Sequence, residues 1–180
     1  MAELDSAFNC LQSIEQRVKQ KELSLPPREL DGVAWRAVVF RLGEIYVVTP
    51  LKEIREILFY PEQLSKIPGV KPWIKGLTNI RGILLPVIDL KACLGGKSIK
   101  IDKNTRMLMI HQNDIFAGLL VDEVLGIRSF TENIQEGMVC EIDWLTPFIQ
   151  GIFIEKDITW MIFNIEKFAK SDLFLNILNS

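Results

Sequence analysis

The chain has a single histidine, His111, and only three cysteines, at positions 10, 93 and 140. One imidazole leaves no His-rich metal site and no second imidazole for proton shuttling. An odd number of widely spaced cysteines suggests neither a disulfide framework nor a zinc pair, so these thiols read as buried or incidental. Charge of one sign is also lacking: Lys+Arg number 21 and Asp+Glu 23, a formal net charge of -2. So weak a field does not attract polyanions, and nucleic acid is set aside as a partner. Apolar runs such as Gly82-Ile83-Leu84-Leu85-Pro86-Val87-Ile88 are far below the roughly 20 residues that span a bilayer, so no direct membrane insertion is expected. The first residues, Met1-Ala2-Glu3-Leu4-Asp5, lack the basic and then apolar layout of a secretory signal, and cytoplasmic residence is the expectation.

What is present is a large apolar fraction, 48% of 180 residues, enough for the core of one domain. Leu4, Phe8, Leu11, Ile14 and Val18 fall in one stripe at helical spacing. Pro26 and Pro27 must end that helix. Residues 1–30 are therefore predicted as an amphipathic helix with a linker, and 31–180 as the domain proper. From Trp35 onward the pattern changes to short strands with turns between them. Trp35 to Leu42 and Ile45 to Thr49 flank Gly43-Glu44, a tight hairpin turn. Ile54 to Phe59 is a third strand, and Gly76 to Ile80 and Ile83 to Ile88 flank a turn at Arg81-Gly82 that should expose the arginine. Thr105 to Gln112 and Ile115 to Val121 form another hairpin around Asn113-Asp114, followed by a strand from Leu125 to Phe130. After an irregular stretch from Thr131 to Pro147, Ile149 to Ile154 and Ile158 to Phe163 turn at Lys156-Asp157. Asn164 caps a final helix whose Ile165, Phe168 and Ala169 share a face.

Enzymatic chemistry finds little support in these residues. Asp89 precedes Leu90-Lys91-Ala92-Cys93-Leu94 and then Gly95-Gly96, the layout of an N-cap and a glycine stop around one short helix. Replacing such a cap costs about 1 kcal/mol. Asp122 and Glu123 follow an apolar strand and read as its solvated exit, and His111 ends a strand beside a polar turn, as a rim residue does. No nucleophile elbow, zinc helix motif, P-loop or dinucleotide fingerprint occurs. A small hydrolase would need Asp89 or Asp122 to converge with His111. No catalytic residue, cofactor site or metal site is assigned.

One stretch is specific. In Ile74-Lys75-Gly76-Leu77-Thr78-Asn79-Ile80-Arg81-Gly82-Ile83-Leu84-Leu85-Pro86-Val87-Ile88-Asp89-Leu90, the positions Ile74, Gly76, Asn79, Arg81, Gly82, Pro86, Asp89 and Leu90 match the central signature of CheW-like domains. The resemblance runs across residues 36 to 170: Phe40-Arg41-Leu42-Gly43 and Ile54-Arg55-Glu56-Ile57 precede the signature, and Ala117 to Val124, taken as a hairpin, and Asn164 to Phe168 follow it. It implies a mainly β fold of two five-stranded β-barrels that share strands and a hydrophobic core, with an N-terminal and a C-terminal helix. It also implies a non-catalytic adaptor that joins the cytoplasmic hairpin tip of a chemoreceptor to the regulatory, CheW-like domain of a histidine kinase, recruited to membrane-associated receptor arrays. By matching positions, Ile54, Glu56 and Arg81 would face the receptor. Ile54 and Glu56, two apart in a strand, would share one face, with Arg81 able to pair with Glu56. Gly76, Leu77 and Thr78 would lie where the family contacts receptor or kinase, although the glycine also suits a close backbone approach.

The roughly 30 residues before the first strand, Phe8-Asn9-Cys10-Leu11-Gln12-Ser13-Ile14-Glu15-Gln16-Arg17 among them, resemble the leading helix of PilI-type adaptors of type IV pilus chemosensory systems, which control twitching motility. Trp73 in Lys71-Pro72-Trp73-Ile74-Lys75-Gly76, and Pro147 to Phe153 with Trp160 after it, point the same way. The competing expectations are a coupling protein of flagellar chemotaxis, the small hydrolase above, and a structural protein that oligomerises through its N-terminal helix.

Overall fold

The computed structural model describes residues 35–112, 115–130 and 142–178. The predicted helix and linker of residues 1–30, Cys10, Cys140 and the tip Asn113-Asp114 lie outside the described residues. The described residues form ten strands: β1 (Trp35–Leu42), β2 (Ile45–Pro50), β3 (Glu56–Phe59), β4 (Ile74–Ile80), β5 (Ile83–Asp89), β6 (Arg106–Gln112), β7 (Ile115–Val121), β8 (Glu123–Phe130), β9 (Ile149–Glu155) and β10 (Ile158–Phe163). Among the described residues three short α-helices accompany them: α1 (Leu90–Cys93), α2 (Ile165–Ala169) and α3 (Asp172–Leu178). The predicted terminal helix is thus two helices. Lys170 caps the first, and the Ser171 hydroxyl donates to the Phe168 carbonyl at 2.6 Å where the chain turns.

The strands divide into two five-stranded sheets, β8-β1-β2-β10-β9 and β3-β6-β7-β5-β4. The expectation of a mainly β chain in two five-stranded units holds, but no described strand pairs in both sheets. Adjacent hairpins are antiparallel, and β2 with β10 and β5 with β7 are parallel. The segment read as a hairpin at Ala117 to Val124 is instead the passage between sheets. A single residue, Asp122, separates β7 of one from β8 of the other. Its carboxylate accepts from the Gly43 N–H at 2.7 Å, which ties this junction to the β1–β2 turn.

Both faces of the central strands are buried. Along β1, Val38 and Phe40 enter the core between the sheets, and Ala37 and Val39 enter the interior of the first sheet. Along β6, Leu108 and Ile110 face the shared core while Met107 and Met109 face the interior of the second sheet. This explains the continuous apolar runs, since two-sided burial removes the polar alternation of a half-exposed strand. α1 and α2 seal the shared core with Leu90, Cys93, Ile165 and Phe168. Trp35, Phe130, Phe153 and Trp160 fill the first sheet with aromatic contacts between 5.0 and 6.5 Å. In the second sheet the chain beyond β3 comes back to β4: Ser65 and Leu77 exchange two backbone hydrogen bonds of 2.8 Å. That contact ties the segment after one edge strand, β3, to the other edge strand, β4, and curls the sheet toward closure.

Candidate interaction site

The β4–β5 hairpin turns on Arg81 and Gly82, both at positive φ, 52° and 85°. Positive φ at both positions is the geometry of a two-residue type I′ turn, whose twist matches that of the flanking strands. Asn79 fixes the turn by accepting the Gly82 N–H on its side-chain oxygen at 2.8 Å. Arg81 is thereby held at the tip, with 77% of its side chain exposed. Its Nη2 donates to Glu56 Oε1 at 2.7 Å. An exposed pair of this kind contributes about 0.2–1 kcal/mol, so its main consequence is to aim the guanidinium plane, whose remaining donors stay open to a partner.

Glu56 opens β3, opposite Met109 of β6. Ile54 does not share its strand. A 3-10 turn over Leu51–Glu53 comes first, Ile54 closes it by donating to the Leu51 carbonyl, and the ladder with β6 starts only at Arg55. Ile54 is 8% exposed and packs in the shared core. The expected apolar contact beside a charge on one strand face is therefore corrected: Glu56 reaches the surface and Ile54 anchors the segment beneath it.

Gly76 and Thr78 are buried and Leu77 is half-buried. Gly76 has φ +146°, and a Cβ there would lie 2.4 Å from the Ser65 carbonyl oxygen. Thr78 donates its hydroxyl to the Gln63 carbonyl at 3.0 Å. Together with the Leu77 bridge, these residues hold the 63–65 segment against β4 and so set the second sheet's curvature.

At the far end of β5 lies Asp89, completely buried. It accepts from the Ala92 N–H at 3.1 Å, the Ile99 N–H at 3.0 Å and the Ser98 hydroxyl at 2.5 Å, and it pairs with Lys75 Nζ at 3.2 Å. Lys75 occupies a β-bulge, since Ile74 faces Ile88 while Gly76 faces Val87. The extra residue re-aims the ammonium toward the strand end. Lys75 also donates to Ser98 at 2.8 Å. Asp89 is the predicted N-cap, but it also gathers β4, α1 and the 98–99 segment, so a cost of one cap understates its role.

The hydrolase constellation does not assemble. Asp89 faces Leu120 and His111 faces Phe116, four residues apart along β7, which at about 3.3 Å per residue puts His111 at the opposite end of the sheet. Asp122 is engaged at the junction near the Asp89 end. The buried Cys93 thiol, the only cysteine among the described residues, is pushed up to about 12 by burial and then by the Asp89 charge, so it stays protonated. Among the described residues no three His, Cys, Asp or Glu side chains cluster as metal ligands, and no helix is long and apolar enough to cross a membrane.

Sequence reasoning missed a third feature. His111 stacks on Phe116 with centroids 4.1 Å apart and planes 10° from parallel, and the Arg55 guanidinium lies 5.3 Å from the centre of the same ring. The hairpin register that pairs residue 111 with 116 could have indicated the stack; nothing local indicates the approach of Arg55 from the residue before β3.

The exposed guanidinium of Arg81 is oriented by its turn and by Glu56, and the fold that presents it is mainly β, in two five-stranded sheets. Residues 36–173 match the family model described as the CheW-like domain. The protein PilI of Pseudomonas aeruginosa is 34% identical over 178 residues, covering 98% of this chain and 99% of that protein. The chemotaxis protein CheW of Klebsiella aerogenes is 29% identical over 144 residues, covering 79% and 86%. The crystal structure of the scaffolding protein TtCheW from Thermoanaerobacter tengcongensis superposes with a TM-score of 0.66 at 28% identity, covering 77% of this chain and 94% of that one. The chain belongs to the CheW-like family and is a non-catalytic adaptor.

Proposed function

We propose that this adaptor couples the cytoplasmic hairpin tip of a chemoreceptor to the regulatory domain of a histidine kinase, in a chemosensory pathway that controls type IV pilus twitching motility. The observation that carries the coupling reading is the guanidinium of Arg81, exposed on a type I′ turn and braced by Glu56. Such a group recognises a carboxylate on an incoming surface through a fork geometry that lysine lacks. Arg81 and Glu56 make the receptor contact in this reading, and Ile54 supports Glu56 from the core. Leu77 borders the contact, while Gly76 and Thr78 act through the closure of the second sheet.

The pilus assignment rests on the extent of likeness. The similarity to PilI runs through 98% of this chain, whereas that to the Klebsiella CheW covers 79%. The competing flagellar reading uses the same surfaces, so a genetic test separates the two. Deletion of the gene is expected to abolish twitching zones on agar and leave swimming unchanged; the reverse pattern rejects the pilus assignment. For the coupling itself, calorimetric titration with the kinase regulatory domain is expected to give saturable binding. A folded protein that does not bind rejects kinase coupling.

A further inference from the structure

We propose that Arg55, Phe116 and His111 form a second recognition element beside the Glu56–Arg81 pair, one that takes an acidic side chain flanked by an apolar one from the receptor segment docked there. The inference rests on the receptor reading of the first pair and adds to it the side-chain chemistry of the occupant.

Register places the two elements at one end of the second sheet. Glu56 faces Met109, and His111 is two residues farther along β6 on the same face. Phe116 faces His111 across the β6–β7 hairpin. The Arg81 turn joins them because its guanidinium contacts Glu56. Five side chains from β3 and the residue before it, the β4–β5 turn, β6 and β7 thus meet at one rim.

Their charges select the occupant. Glu56 is neutralised by Arg81, which leaves Arg55 as the uncompensated cation among these five side chains. Arg55 forms no salt bridge with the described carboxylates. A guanidinium held over an aromatic face keeps its N–H edge outward and loses little freedom when a carboxylate arrives. Phe116 is only half-buried although it lies at the end of a buried strand, and exposed His111 covers it by near-parallel stacking. The stack offers an apolar edge next to the cation. An acidic segment with a neighbouring apolar residue satisfies both; a basic segment meets two guanidiniums and is repelled.

The test uses the full-length protein and the soluble cytoplasmic fragment of a chemoreceptor from the source organism, titrated by calorimetry. Arg55→Glu and Phe116→Ala are each expected to weaken binding about tenfold, the range of a good interface contact, and Arg55→Lys by less because charge is kept while the guanidinium fork is lost. Should Phe116→Ala fail to fold, the exposed Arg55→Glu decides alone. No binding by the unsubstituted protein rejects the receptor reading itself. Binding that Arg81→Glu weakens but Arg55→Glu and folded Phe116→Ala leave unchanged overturns this inference and leaves the first reading standing.

Discussion

At the start of β5 the Arg81–Glu56 contact measures 2.7 Å with the arginine 77% exposed, and at its end the Lys75–Asp89 contact measures 3.2 Å with the aspartate fully buried. The shorter pair contributes less to the fold. Water already solvates Arg81, so its Coulomb attraction is screened and its side-chain ordering offsets the rest. Asp89 has no water to return to; its three hydrogen bonds and the ammonium are what make a buried carboxylate tolerable. One strand therefore carries a buried structural ion pair at one end and, at the other, an exposed one to which the proposed function gives a recognition role, and length alone does not distinguish them.

This contrast can be broken by substitution. Asp89→Ala is expected to cost about 2–4 kcal/mol, because it removes several charge-assisted hydrogen bonds at once and not a single cap. Urea denaturation measures it, and a loss of 1 kcal/mol or less would return Asp89 to a simple capping role. Gly76→Ala comes next, at about 1–3 kcal/mol, since the methyl group meets the Ser65 carbonyl and the backbone is held at positive φ. A neutral result would mean that the 63–65 segment yields and does not define the sheet. Arg81→Glu, at the recognition end, is expected to change stability by less than about 1 kcal/mol while weakening receptor binding through charge reversal. A variant that fails to fold would place Arg81 with Asp89 on the structural side.

The smallest effect is expected at Glu53, which lies between these extremes. Its carboxylate accepts from the Ile165 N–H at 3.1 Å and from Thr49 at 3.3 Å, yet burial, the largest cause, raises its pKa above 4.5. The folded protein then holds this proton to higher pH than the unfolded chain does. The ionisation penalty is absent below the unfolded value and develops as pH rises from 4.5 through the folded value, so stability from this group falls over that window and stays lower above it. Glu53→Gln keeps an acceptor for Ile165 and removes the charge. Denaturation series on both proteins are expected to diverge in the variant's favour as pH rises through that window, and parallel series would discount the desolvation.

Much of the architecture was legible because it depends on local rules. The limits of β1, β7 and β10, the turn at Arg81-Gly82 and the caps at Asp89 and Asn164 follow from apolar runs, glycine and short polar side chains. The central motif carried the family resemblance for the same reason, as its residues satisfy one hairpin and the helix after it. Less legible was every residue whose role comes from a distant segment. Ile54 looked like a strand residue until the 3-10 turn put it in the core, and Gly76 owes its identity to the Ser65 carbonyl.

By itself the sequence determined a β-rich chain with an arginine on a tight turn, a single histidine and none of the familiar catalytic motifs. Hydropathy patterning and turn chemistry act within a few residues, and these features need nothing more. Only the tertiary structure decided that Asp89 is an internal hub, that Asp122 marks the passage between sheets, and that Arg55, Phe116 and His111 meet beside Glu56 and Arg81. Those outcomes depend on strand register and on which sheet edges meet, and register is set by the packing of the whole core.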